Sequence, residues 1–168
     1  YSDGGSNFLY DRHLNWGKSR SNGIDLGVGF DFKIIDGLTF ESNNRIGFNN
    51  SYSSSYVDPN SRSGAGTDGS YYDGESNTRS IYTSQLLRFL KTFGEKHEIN
   101  AYLGYDYDEY RYWNLAATAY KIFSGAEIIN AGAEDPTASG TKSESKNAAI
   151  YLNVNYSFDS KYLIQGMI

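Results

Sequence analysis

The sequence predicts an all-β chain, an antiparallel up-and-down run of strands of the transmembrane β-barrel kind, and three observations predict it. The first is alternation. From 24 to 34 the even positions are Ile24, Leu26, Val28, Phe30, Phe32 and Ile34, and the odd positions include Asp25, Gly27, Gly29, Asp31 and Lys33. A period of two makes a strand with one apolar and one polar face. The second is length. The predicted strands run roughly 10 to 18 residues, against a usual mode of about 5 to 6, and about 9 to 11 residues cross a bilayer. The third is the connections, which alternate short and long along the chain. Barrels of the outer membrane alternate in this way, with short periplasmic turns and long external loops.

The strands follow in order. The first covers about 22–35. After a turn at Asp36-Gly37, the second covers about 38–57, with Leu38, Phe40, Ile46 and Phe48 on one face and Thr39, Glu41, Asn43, Arg45 and Asn49 on the other. Residues 58–78 are rich in Gly, Ser, Asp and Asn and read as a long loop. The third strand, about 79–93, puts Leu87, Phe89 and Phe93 opposite Leu86, Arg88 and Leu90, so its facing stays open. A turn at 94–96 leads to the fourth, about 97–113. There Ile99, Ala101, Leu103, Tyr105 and Tyr107 oppose Asn100, Tyr102, Gly104, Asp106 and Asp108. Residues 115–144 read as a second long loop. The fifth strand, about 145–158, carries Ala148, Ile150, Leu152, Val154, Tyr156 and Phe158 on one face. A turn at Asp159-Ser160 leads into the sixth, about 161–168. Tyr1–Gly5 reads as loop, and Arg12–Trp16 as an ordered loop or the tail of a preceding strand.

Composition narrows the function classes. There is no cysteine, hence no disulfide framework or thiolate chemistry, and the net charge of -5 argues against a nucleic-acid partner. No apolar run is long enough for a membrane helix. With no leader visible at Tyr1, the expectation is a processed chain or an internal piece of a longer one. The 16 Tyr, 9 Phe and 18 Gly suit both a barrel with aromatic girdles and a soluble β-sandwich. The sandwich stays open as the alternative, a secreted glycan-binding module. An uncharged apolar row favours lipid, because one Lys or Arg at the bilayer midplane costs roughly 2–4 kcal/mol.

Two segments carry a family resemblance. Residues 82–107 resemble a hairpin of SusC-type TonB-dependent outer-membrane transporters. In that hairpin a strand ending near Lys-Thr-Phe is followed by a turn, a His, and a strand with Ala-x-x-Gly-x-Glu. Lys91, Thr92, Phe93, His97, Ala101 and Gly104 stand at those places, and Asp106 stands for the Glu. Residues 150–166 resemble a second segment through Val154, Asn155, Tyr156, Ser157, Lys161, Tyr162 and Leu163. Asn153 departs from the family's usual Arg, and Ser160 from a frequent Asp. The resemblance implies about six strands from the wall of a barrel of about 22, with the plug domain absent from this chain. It also implies an importer of oligosaccharides or peptides in the Gram-negative outer membrane. The partners implied are the remaining barrel and plug, a SusD-like surface lipoprotein, TonB acting through the plug region, and membrane lipid. No enzymatic activity and no cofactor are expected.

The site candidates follow from this reading. Lumen-facing residues would be Asp25, Asp31, Glu41, Arg45, Asp106, Asp108, Asn153 and Asn155. Ligand-stacking aromatics would be Tyr71, Tyr72, Tyr110, Tyr112, Trp113 and Tyr120, and an interfacial aromatic girdle explains several of them equally. Asp58, Asp68, Asp73 and Glu75 offer oxygen ligands without the EF-hand spacing, so a solvated loop is the better reading and no metal is expected. His13 and His97 are isolated. Asp106 and Asp108 share a strand face, and a hydrated lumen wall explains them better than acid–base catalysis.

Overall fold

The computed structural model describes residues 8–168, so the loop expected at Tyr1–Gly5 lies outside the described residues. The elements in order are helix α1 (Phe8–Leu14), β1 (Trp16–Ile35), β2 (Leu38–Val57), β3 (Ser70–Phe93), β4 (His97–Tyr120), a short 3-10 turn (Ile129–Ala131), β5 (Thr137–Phe158) and β6 (Tyr162–Met167). The strands form one six-stranded sheet in the order β1-β2-β3-β4-β5-β6. The fold is all-β, antiparallel and up-and-down, as the alternation predicts. Between β5 and β6 the register pairs Asn153 with Met167 and Phe158 with Tyr162.

The strands run longer than the alternation indicated. β1 begins at Trp16, β3 at Ser70 and β5 at Thr137, while β4 continues to Tyr120. The long loops shorten accordingly, to 58–69 and 121–136. The added lengths, such as Ser70-Tyr71-Tyr72-Asp73-Gly74-Glu75-Ser76-Asn77-Thr78, are polar on both faces. Backbone pairing sustains a strand there, but a sequence polar on both sides has no hydropathy period to betray it. Arg12–Leu14, read as loop or strand tail, belong to α1.

The short turns follow local chemistry. Gly37 sits at φ +83°, and its carbonyl accepts the Leu90 N–H at 2.7 Å. Gly94 and Glu95, then Asp159 and Ser160, take positive φ in pairs, and at the second pair the Lys161 N–H closes on the Phe158 carbonyl at 3.0 Å, as in a type I′ hairpin.

The chain divides into two compact units. The first comprises Tyr1–Gly23, Asn49–Thr78 and Tyr112–Ser143, and the second Ile24–Phe48, Arg79–Arg111 and Glu144–Ile168. The first has a small core of Tyr56, Tyr71, Ala119 and Ile122, with Trp16 and Ile129 packed on it. Trp16 stacks on Tyr56 and meets Tyr71 edge-on, both at 6.2 Å between ring centroids. The second is built the other way round. Its buried residues among those described include Ser42, Glu109 and Asn153, and its large apolar side chains stand exposed, Ile24 at 63%, Val28 at 67% and Ile150 at 74%.

Candidate functional site

The second unit presents two chemically distinct sheet faces. Phe30 and Phe40, at 6.0 Å, lie on the apolar face. Leu87 joins it, sharing a hollow of about 340 Å³ with Phe40, Leu103, Tyr105 and Ile150. Phe89 and Phe93, 6.5 Å apart, continue the row. The facing of β3, open from sequence, is thereby settled. At the short-turn end, His97 Nδ1 lies 2.7 Å from the Tyr156 hydroxyl and its ring 4.9 Å from that of Phe158. His97 is thus one member of an aromatic group with Tyr156 and Phe158.

Further along β4 and β5 the apolar row gives way to charge. Glu109 accepts from Tyr107 at 2.7 Å and pairs with Arg111 at 2.6 Å. Arg111 also meets Glu144 at 3.2 Å, and Glu144 meets Lys146 at 2.6 Å. By alternation these side chains stand on the same face as Leu103 and Ile150.

The polar face gathers most of the residues expected on it. Arg45 pairs with Asp25 at 3.3 Å, and Arg88 with Glu41 at 3.0 Å. Asn147 donates to Asp108 at 2.9 Å, and Asn155 donates to the buried Asn153 at 2.7 Å. Asp106 Oδ1 is enclosed without a hydrogen-bond partner among the described residues. Asp31 shares the face by its place in the alternation. Leu86 and Leu90 also point to this side, lining a hollow of about 400 Å³ with Arg88, Asn100, Tyr102 and Tyr151. The Tyr151 ring lies flat against Gly104, where an added Cβ would stand 2.0 Å from the ring. Cations paired to carboxylates, amides and tyrosine rings line this face of the sheet.

The aromatic candidates are not brought together. Tyr71 is buried in the core of the first unit and its ring is occupied by Trp16, so its expected role in ligand stacking is corrected. Burial followed from Trp16 and the loop residue Ile122, neither of which the sequence placed near it. Tyr72 is half-buried over Gly74. Tyr110, Trp113 and Tyr120 are exposed. Tyr110 and Tyr112, two apart on β4, share the face of Asp106 and Asp108, whereas Trp113 takes the other.

The organising residue of the two long loops went unrecognised. Asp58 is 3% exposed and accepts from Tyr56 Oη at 2.7 Å, Ser124 Oγ at 2.7 Å, and the Asn60 N–H and Nδ2 at 2.8 and 3.0 Å. Asn15 Oδ1 accepts the Asp58 N–H at 2.8 Å. Burial pushes this carboxyl up, and the bonds from Ser124, Tyr56 and Asn60 together outweigh it, holding it below the usual aspartate value. Trp16 Nε1 donates to Glu127 at 2.9 Å, and the Lys121 N–H bonds the carbonyls of Thr67 and Gly69. Loops 58–69 and 121–136 are therefore pinned to each other. With its lone pairs spent on these donors, Asp58 is not free as a calcium ligand. No group of three or more His, Cys, Asp or Glu gathers among the described residues.

The faces, the long strands and the short-turn, long-loop order define a length of β-barrel wall. Among solved structures the chain is similar to "Structure of the RagAB peptide transporter", with a TM-score of 0.81 and 19% identity over 94% of this chain. It is likewise similar to the RagAB peptide importer in the 'open-open' state, with a TM-score of 0.81 and 19% identity over 95% of this chain. The chain spans 18% of the length of those transporter chains. No family model and no curated protein matches.

Proposed function

We propose that this chain forms part of the barrel wall of an outer-membrane TonB-dependent importer of the SusC type, taking up peptides or oligosaccharides. The observation that carries the reading is the inside-out second unit, whose exposed apolar rows suit lipid as their solvent. The shared fold with a peptide transporter supports it. Asp25, Asp31, Glu41, Arg45, Asp106, Asp108, Asn153 and Asn155 would face the lumen, beside a plug supplied by the rest of the transporter. In lipid the free edges of β1 and β6 need further strands, because each unpaired backbone group there costs several kcal/mol. The external loops and the rings of Tyr72, Tyr110, Tyr112, Trp113 and Tyr120 would meet substrate and a SusD-like lipoprotein. TonB would supply the energy, and the wall itself needs no cofactor.

The test is a charge in the apolar row. In the full transporter, Val28→Lys puts an ammonium in the bilayer and costs roughly 2–4 kcal/mol, whereas Asp25→Lys on the opposite face carries no lipid penalty. Val28→Lys is expected to lower the amount of folded, heat-modifiable protein in the outer-membrane fraction, with Asp25→Lys near the parent level. Equal assembly of the two, or a parent that purifies as a detergent-free soluble protein, overturns the proposal.

A further inference from the structure

The first unit holds a hollow of about 290 Å³. Leu115, Ala117, Ile129 and Ala138 give it apolar walls, and Tyr52, Asp73 and Glu75 supply its polar groups. Both carboxylates are held by neutral donors. Glu75 Oε1 accepts from Asn50 Nδ2 at 2.7 Å and from Asn77 Nδ2 at 3.2 Å. The Tyr52 hydroxyl donates to the Asp73 carboxylate. The other side of that carboxylate is left unfinished. Asp73 Oδ1 is enclosed and has no hydrogen-bond partner among the described residues. An enclosed carboxylate oxygen without a donor carries the cost of its lost hydration with nothing to offset it. The missing group is a donor, and a charged donor answers the bond and the charge together.

We propose that this hollow binds a primary ammonium carried on a short aliphatic stem, with Asp73 taking the charge and the apolar walls taking the stem. Three features select that chemistry. A calcium ion takes six or more oxygen ligands, and no group of three or more His, Cys, Asp or Glu gathers among the described residues. A guanidinium suits a carboxylate that offers both oxygens to its fork, whereas Tyr52 already occupies one side of Asp73 and leaves room for a point charge. The volume lies at the small end for a ligand site, which admits one short stem and excludes a peptide or an oligosaccharide. By alternation Asp73 stands on the strand side of Leu87, and Leu115 and Ala117 on that of Leu103, opposite Asp106 and Tyr110. The site is therefore distinct from the polar face, and the inference does not rest on the importer reading. A free alkyl amine and a lysyl side chain of another protein present the same ammonium, and the test separates these sources.

The probe is pentylammonium, titrated calorimetrically into the purified full-length protein, with a protein-free titration in the same solvent subtracted. Saturable binding is expected, strengthening about fourfold for each methylene from propylammonium to pentylammonium and absent for pentanol. Asp73→Asn keeps the side chain's shape and removes its charge, and should weaken binding about ten- to a hundredfold. Ala117→Leu fills the hollow and should abolish binding while Asp73 stays in place. The second arm uses Nα-acetyl-lysine amide, with Nα-acetyl-norleucine amide as its uncharged counterpart. Binding of the lysyl compound as tight as that of pentylammonium makes the site a receptor for a lysyl side chain. Its exclusion, with pentylammonium retained, makes it a site for a free amine. If Asp73→Asn fails to fold, the alkyl series and Ala117→Leu decide. No saturable binding of either cation, equal binding of pentanol, or undiminished binding in the folded variants overturns the proposal.

Discussion

Replacing Asp58 by Ala should release the two long loops. The substitution removes a buried acceptor from Tyr56 Oη, Ser124 Oγ and the two Asn60 donors. Truncating one side of a buried charged hydrogen-bond set costs about 3–5 kcal/mol. At about 1.4 kcal/mol per factor of ten, local opening of loops 58–69 and 121–136 should become about a hundred-fold to several thousand-fold more frequent. Amide hydrogen exchange in the full transporter reads this directly. Protection should fall at the Ser61, Gly64 and Lys121 amides, whose bonds close these loops. Asp135→Ala, exposed in the second loop and outside the Asp58 network, should leave protection unchanged. The sign of the pH effect follows from the lowered carboxyl. A depressed folded value means that the carboxylate's contribution is fully present above the ordinary value of 3.8 and is lost as pH falls through the folded value below it. Protection should therefore hold from neutral pH to about 4 and decline only in stronger acid. Protection unchanged in Asp58→Ala, or lost already at mildly acidic pH in the parent, refutes the assignment of Asp58 as the pin.

Other consequences are equally open to measurement. Gly104→Ala drives a methyl into the Tyr151 ring, an overpacking that costs about 1–3 kcal/mol and should lower the unfolding temperature. In a Tyr151→Ala background the same change should cost little, and an additive penalty would show that the ring is not what Gly104 accommodates. Gly37→Val places a branched side chain at φ +83°, with its Cβ 2.6 Å from the Leu90 carbonyl. It should slow barrel assembly as judged by heat-modifiability, and normal assembly would show that the turn tolerates a different backbone. Tyr110→Ala and Tyr112→Ala should weaken uptake of a peptide or oligosaccharide substrate while leaving barrel folding intact, whereas Tyr71→Ala should destabilise the external loops first. Uptake lost in step with folding in all three variants would contradict separate roles for these rings.

What the sequence disclosed and what it hid divide along a physical line. Within 24–48 and 97–108 one strand face is apolar and the other polar, so a period of two announced both the strands and their facing. The fold class and the placing of Asp25 and Arg45 on polar rows were legible from that, and their pairing was not. Ser70–Thr78 carries polar residues on both faces, and no periodicity survives in such a stretch to separate strand from loop. The fate of Tyr71 was hidden for a different reason. Its burial depends on Trp16 and Ile122, residues distant in the chain, and contacts of that separation leave no local trace. Asp58 reads from sequence as one of several carboxylates in a solvated loop, and only donors brought by the fold, Ser124 among them, make it a hub.

The two units obey opposite rules of stabilisation, and this difference bears most directly on function. Truncating Tyr56 or Ile122 opens a cavity in a core that is dry in any solvent, so the first unit should lose stability in detergent and membrane alike. The second unit has no comparable core among its described residues, and its polar wall is held by pairs such as Arg88–Glu41 and Asn155–Asn153. An ion pair such as Arg88–Glu41 contributes about 0–1 kcal/mol and a hydrogen bond such as Asn155–Asn153 about 0.5–1.5 kcal/mol, too little to hold a sheet. The remaining stabilisation must come from whatever covers Ile24, Val28 and Ile150. A charge at Val28 therefore measures the surrounding medium, whereas a cavity at Ile122 measures the protein. A lipid-facing wall should respond strongly to the first change only when it is in the membrane, and to the second everywhere.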